Sequence, residues 1–135
     1  MGSNMSTASK ASRIAFWTIG IIALLWNAMG CINFMQQISP AGIATLPPEY
    51  QSYIETRPTY AFIAFGVSVI AGLIGAIFML MRLGQATVLF LASGIGAFVA
   101  TIPALNAGIP SIVLGSAMSI VLAAIFALYA SRTRD

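Results

Sequence analysis

Few side chains in this 135-residue chain have types suited to chemistry. It carries six Lys and Arg, three Asp and Glu, one Cys and no His. The acids away from the C-terminus are Glu49 and Glu55. Without a histidine or metal partner they form no general acid–base pair, and they read as a solvated face. No cluster of Cys, Asp or Glu has ligand spacing, so no metal, haem or other cofactor is expected. No nucleophile sits beside a base, and the chain does not read as an enzyme. Cys31 has no second cysteine to pair with. The remaining chemistry is hydrogen bonding by amides. At ~100° per residue, Gly20, Trp26, Asn27, Gly30, Asn33 and Gln37 fall within roughly 140° of one helix surface. That surface runs through A-L-L-W-N-A-M-G-C-I-N-F-M-Q-Q, Ala23 to Gln37. An unpaired amide in hydrocarbon costs several kcal/mol, so this face must look at other helices, a polar cavity or a ligand.

The elements that position it follow from composition. Hydrophobic residues make up 59% and charged residues 7%, against about 25% charged in a soluble domain. The partner of such a surface is the lipid bilayer. The net charge of +3 includes no basic patch interleaved with aromatics, which argues against nucleic acid. Met1 to Asn4 reads as a vector-derived extension before a native start at Met5. Lys10 and Arg13 precede an apolar run from Ile14 to about Met35, too long for the core of a cleaved signal peptide.

The expected fold is an all-α membrane protein of one domain. Its four transmembrane helices fall at about 14–37, 60–81, 86–105 and 111–130, with tails at 1–13 and 131–135. In the first connection Pro40 and Gly42 break the helix, and Pro47-Pro48 starts another with Glu49 in its first turn. Tyr50, Tyr53, Ile54 and Arg57 share one face there. The pattern predicts a short amphipathic helix in the first outer loop, lying at the membrane surface with its aromatics down. An ordered polar loop is the alternative. The second span is expected to end at Arg82-Leu83-Gly84 with glycine at C′, and Pro110 suits the first turn of the last. Lys10, Arg13, Arg82, Arg132 and Arg134 share one side and Arg57 the other. This bias predicts a multi-pass bacterial inner-membrane protein with both termini cytoplasmic.

Small residues recur every fourth position: Ala64, Ser68, Gly72, Ala76; Ala92, Gly96, Ala100, Ala104; and Ser111, Gly115, Ser119, Ala123, Ala127. With Gly75 beside the first row, they are read as helix-packing surfaces, because helices in lipid associate through close backbone approach and hydrogen bonds. On the amide face, Asn27, Asn33 and Gln37 are expected to bond across to Ser68, Ser93, Thr101 or Ser119. That face is either structural glue or a ligand- or partner-reading surface formed by Trp26, Asn27, Gly30, Asn33 and Gln37, with Tyr53 and Arg57 from the loop.

No Asp, Glu, Lys, Arg or His lies within a span, which argues against a proton-coupled carrier. The small multidrug exporters depend on a glutamate in their first helix, and none lies between Ile14 and Gln37. L-W-N-A-M-G (Leu25 to Gly30) is followed by Phe34, Gln37, Tyr53 and Pro58. Further on come A-F-G-V-S-V-I-A-G-L-I-G (Ala64 to Gly75), Leu80-Met81-Arg82, Ala86 and L-F-L-A-S (Leu89 to Ser93). Together these motifs resemble a family of small four-span bacterial inner-membrane proteins loosely labelled "sugar transporter". The resemblance covers Ala23 to Ser93. It implies a signature of Trp26, Asn27, Gly30, Gln37, Tyr53, Pro58, Gly72, Gly75 and Arg82. Two functions stand open. The chain is first an accessory subunit, packing against a larger membrane complex or itself as a homo-oligomer. It is alternatively an oligomeric facilitator of a small neutral solute such as a sugar, since four helices are expected to enclose little volume.

Overall fold

The computed structural model describes the backbone of residues 2–133 and the side chains of residues 9–133. Arg134 and Met1, which enter the charge and start-site readings above, lie outside the described residues. Every regular element described is a helix: α1 (Gly2–Gln36), α2 (Pro40–Ile43), α3 (Pro48–Thr56), α4 (Thr59–Leu80), α5 (Gln85–Ala107) and α6 (Pro110–Thr133). Four are long and apolar enough to cross a membrane: Ser9–Gln36, Thr59–Leu80, Gln85–Ala107 and Pro110–Thr133. The chain is a small multi-pass membrane protein built as a four-helix bundle. The first helix starts far earlier than its span and carries Lys10 and Arg13 within it.

Prolines set the breaks. Pro40 disfavours a helical residue before it, so Ser39 is extended (φ −112°, ψ 148°) and α1 stops at Gln36. Pro40 and Gly42, read as breakers, in fact form the one-turn α2. Ser39 caps it by accepting from the Gly42 N–H at 3.1 Å. Pro48 opens α3 at its first position. Pro58 in turn holds Arg57 extended (φ −67°, ψ 147°) and ends that helix.

The end of α4 departs from expectation. The left-handed residue is Arg82 (φ 60°), while Gly84 is right-handed and opens α5. The Arg82 N–H donates to the Met79 carbonyl and the Leu83 N–H to that of Phe78, both at 2.9 Å. This is a Schellman closure with arginine at C′. The guanidinium carbon lies 4.1 Å from the Phe16 ring centroid, and Nη1 donates to the Thr133 carbonyl at 3.1 Å. One side chain thus ties α1 to the end of α6.

Packing is sequential. Helix α1 lies along α4, α4 along α5 and α5 along α6, whereas α1 and α6 scarcely meet. Where the termini lie, Phe16, Ala23, Met79, Phe90, Phe126 and Ala130 fill a shared core. The Phe90 and Phe126 ring centroids are 5.5 Å apart. Small residues permit the close approaches. A Cβ on Gly96 would meet the Ala64 carbonyl oxygen at 2.7 Å, one on Gly75 the Leu89 Cβ at 3.2 Å, and one on Gly72 would overlap the Asn27 amide. Across the α4–α5 contact, Ser93 Oγ donates to the Ser68 carbonyl at 2.6 Å. The opposite surfaces expose Leu91, Ile95, Phe98, Leu114 and Val121, as lipid contact requires.

Candidate functional site

The core fills only the termini end. Towards the α2–α3 end, α1 and α6 diverge around a cavity of about 640 Å³, within the ~300–1,000 Å³ of small-molecule sites. A single chain therefore offers, as a cleft open between α1 and α6, a volume that sequence reasoning assigned to an oligomer.

Helix α1 contributes Trp26, Asn27, Gly30, Asn33 and Gln36, followed by Gln37, and α3 contributes Tyr50, Tyr53 and Ile54, followed by Arg57. Ser68 and Ser93 come from the α4–α5 contact, and Ser111, Gly115, Ser116 and Ser119 from α6. Phe90, Ala123 and Phe126 line it where it meets the core. The cavity gathers every residue singled out as a candidate ligand- or partner-reading group: Trp26, Asn27, Gly30, Asn33, Gln37, Tyr53 and Arg57.

The amides do not bond as expected. Asn27 Nδ2 donates to the Ala23 carbonyl at 2.8 Å, one turn back on its own helix. Gln37 Nε2, just past α1, donates four residues back to Asn33 Oδ1 at 3.2 Å. Thr101 and Ser119 hydroxyls likewise return to the Ala97 and Gly115 carbonyls, at 2.6 and 2.9 Å. None of the expected bonds from these amides to Ser68, Ser93, Thr101 or Ser119 is made. The serine pair satisfies itself, and α6 scarcely meets α1. Asn27 is nonetheless only 6% exposed, wedged against Gly72.

The packing role given to Gly115 and Ser119 is corrected too. A Cβ on Gly115 would meet nothing within 4 Å, because this part of the α6 row faces the cavity. Sequence reasoning missed that wall, together with Ser116, Tyr50 and Gln36. One signal was present: the α6 row carries serines where the α5 row carries alanines.

Helix α3 forms where expected, but its Tyr50–Tyr53–Ile54 face turns to the cavity, not to lipid. Tyr50 hydrogen-bonds Ser111 of α6 through their hydroxyls, and Arg57 Nη1 donates to Gln37 Oε1 just past the end of α1. The helix thus straddles the mouth, clasped to both walls. From Arg57 the donors run in one direction, through Gln37 to Asn33. Burial pulls the Arg57 pKa below its ordinary value, and Tyr53 opposes that. Burial raises the Tyr53 pKa against the pull of Arg57, so Tyr53 is a neutral phenol at physiological pH. The wall offers hydroxyls, amides, two tyrosines, an indole and one cation, a set suited to binding a polar molecule by hydrogen bonds. No protein-family profile, curated protein or solved structure matches the chain.

Proposed function

We propose that the chain binds a small hydroxyl-rich solute in this cavity and lets it cross the membrane as a facilitator, without catalysis. The observation that carries this reading is the convergence of α1 amides, α3 tyrosines and α6 serines on one volume that the core closes at its far end. Amide and hydroxyl groups pair with sugar-like hydroxyls, and an indole supplies a flat apolar contact. The bias of Lys10, Arg13, Arg82 and Arg132 against Arg57 supports cytoplasmic termini, with α3 outermost on a bacterial inner membrane. The resemblance to small four-span proteins labelled sugar transporters points the same way.

Proteoliposomes of the purified protein, challenged osmotically with glucose, xylitol and glucuronate, test the proposal through swelling read by light scattering. Entry of at least one solute is expected to exceed that of protein-free vesicles. Gly115→Leu, which fills the cavity, is expected to return it to background without lowering the unfolding temperature. Equal rates with and without protein for all three solutes would overturn the proposal.

A second reading, an accessory subunit, draws on the gap between α1 and α6. A transmembrane helix of a partner or of a second copy fits beside the small row Ser111, Gly115 and Ser119. Purification in mild detergent separates the readings, since a stoichiometric second chain is expected only for the accessory role.

A further inference from the structure

Arg57 is the sole charged side chain on the cavity wall, and the described residues give it no counter-ion. Glu49 and Glu55 lie on the helix that Arg57 follows, yet both are exposed and neither lines the cavity. Its partners are neutral. One N–H goes to Gln37 Oε1, and the guanidinium carbon sits 4.6 Å from the Phe62 ring centroid. Phe62 stacks on Phe34 at 4.8 Å and 14°, and Phe34 meets Phe65 edge-on at 5.7 Å. Gly66 makes room for that ladder, since a Cβ there would come within 2.9 Å of the Phe34 ring. The guanidinium carbon therefore rests over an aromatic stack built from α1 and α4. An arginine meant only for solvent needs no such support. A half-buried cation with no opposite charge is costly unless something pairs with it. A guanidinium with donors to spare matches the oxygen pairs of carboxylates and phosphates. Burial depresses its pKa already, so an arriving anion would restore stabilisation that water no longer supplies. The neighbouring Tyr53 phenol is neutral and adds a donor, not a repelling charge.

We infer that the molecule held in this cavity carries an anionic oxygen group seated on Arg57, with its hydroxyl-bearing remainder against Asn33, Ser111 and Ser116. This rests on the solute-binding reading and narrows it to hydroxy acids and phosphate esters. An anionic lipid headgroup entering through the α1–α6 gap offers the same group.

The test uses the full chain with Trp17→Phe, so that Trp26 on the cavity wall is the remaining indole. It is placed in phosphatidylcholine nanodiscs and titrated with glucose, glucuronate and glucose 6-phosphate while Trp26 emission is followed. The two anions are expected to bind at least about tenfold more tightly than glucose. Arg57→Gln is expected to remove that difference without lowering the unfolding temperature, and Arg57→Lys to keep part of it. Should Arg57→Gln fail to fold, a tenfold preference in wild type that narrows in Arg57→Lys still supports the subsite. Glucose binding as tightly as both anions in wild type overturns the anionic subsite and leaves solute binding standing. A second arm replaces part of the phosphatidylcholine by phosphatidylglycerol. A response to that lipid alone, abolished by Arg57→Gln, assigns the anion to a headgroup; one that Arg57→Gln leaves intact overturns the subsite. Silence towards all three solutes and the lipid overturns both readings together.

Discussion

Asn27 and Gly72 face each other across the α1–α4 contact, where a Cβ on Gly72 would overlap the amide. The glycine holds open the place in which an almost fully buried asparagine sits. Gly72→Leu is therefore expected to destabilise the bundle by about 1–3 kcal/mol, the usual cost of overpacking, seen as a lower unfolding temperature in detergent. Gly115→Leu, with nothing within 4 Å of its added Cβ, is expected to leave that temperature unchanged or raise it. Equal losses for the two would contradict the difference in their surroundings. Arg82 poses a second question at this scale, because a non-glycine residue in the left-handed region costs roughly 1 kcal/mol. Arg82→Asn keeps a side chain that tolerates that backbone and removes the guanidinium from Phe16 and the Thr133 carbonyl. A loss of about 1 kcal/mol is expected. A gain in chemical-denaturation stability would show that the side chain does not hold α1 to α6. None of these partners could be read from sequence. Periodicity places Asn27 on a face and Gly72 in a row, but which residue fills which gap depends on helix rotation and offset.

Element boundaries were legible where the chain announces them, and element surroundings were not. Pro48 and Pro110 mark helix starts by removing a donor and restricting the residue before. Gly84 misled, because glycine is the default left-handed residue and Arg82 took that position instead. The amphipathic face of α3 was visible as Tyr50, Tyr53, Ile54 and Arg57. Lipid and a cavity present the same half-polar demand to such a face, so sequence alone could not choose between them. One hydrogen bond runs to each wall, Tyr50 to Ser111 and Arg57 to Gln37, so under the proposed transport α3 is the cover that has to shift. In a Cys31→Ala, Trp17→Phe background, cysteines replacing Tyr50 and Ser111 are expected to be bridged by a short bis-maleimide. A direct disulfide would be too short where a whole tyrosine side chain spans the gap. Bridging is expected to slow acrylamide quenching of Trp26 severalfold, and an unchanged quenching rate would remove α3 from the access path.

For the whole molecule, four apolar stretches and their breaks sufficed to specify the bundle, because lipid demands that every spanning segment satisfy its own backbone. The separation of α1 from α6 was beyond such reading. It depends on how three successive helix contacts, α1–α4, α4–α5 and α5–α6, add up, and small-residue rows look alike whether they touch a neighbour or a void. Charge distribution works at this scale as well. Lys10, Arg13, Arg82 and Arg132 lie together at the termini end. Among the described residues, the one basic side chain at the other end is Arg57, half-buried on an aromatic ladder. Topology rules count basic residues near span ends, so the termini are expected in the cytoplasm and α3 outside. In a Cys31→Ala background, a cysteine at exposed Ser52 of α3 is expected to react with a membrane-impermeant maleimide in intact cells. One at exposed Ala11 of α1 is expected to react only after permeabilisation. The reverse pattern would turn the cavity mouth to the cytoplasm, making the proposed flow an exit that starts beneath α3. Labelling of both sites in intact cells would indicate two orientations, which a charge bias this one-sided should prevent.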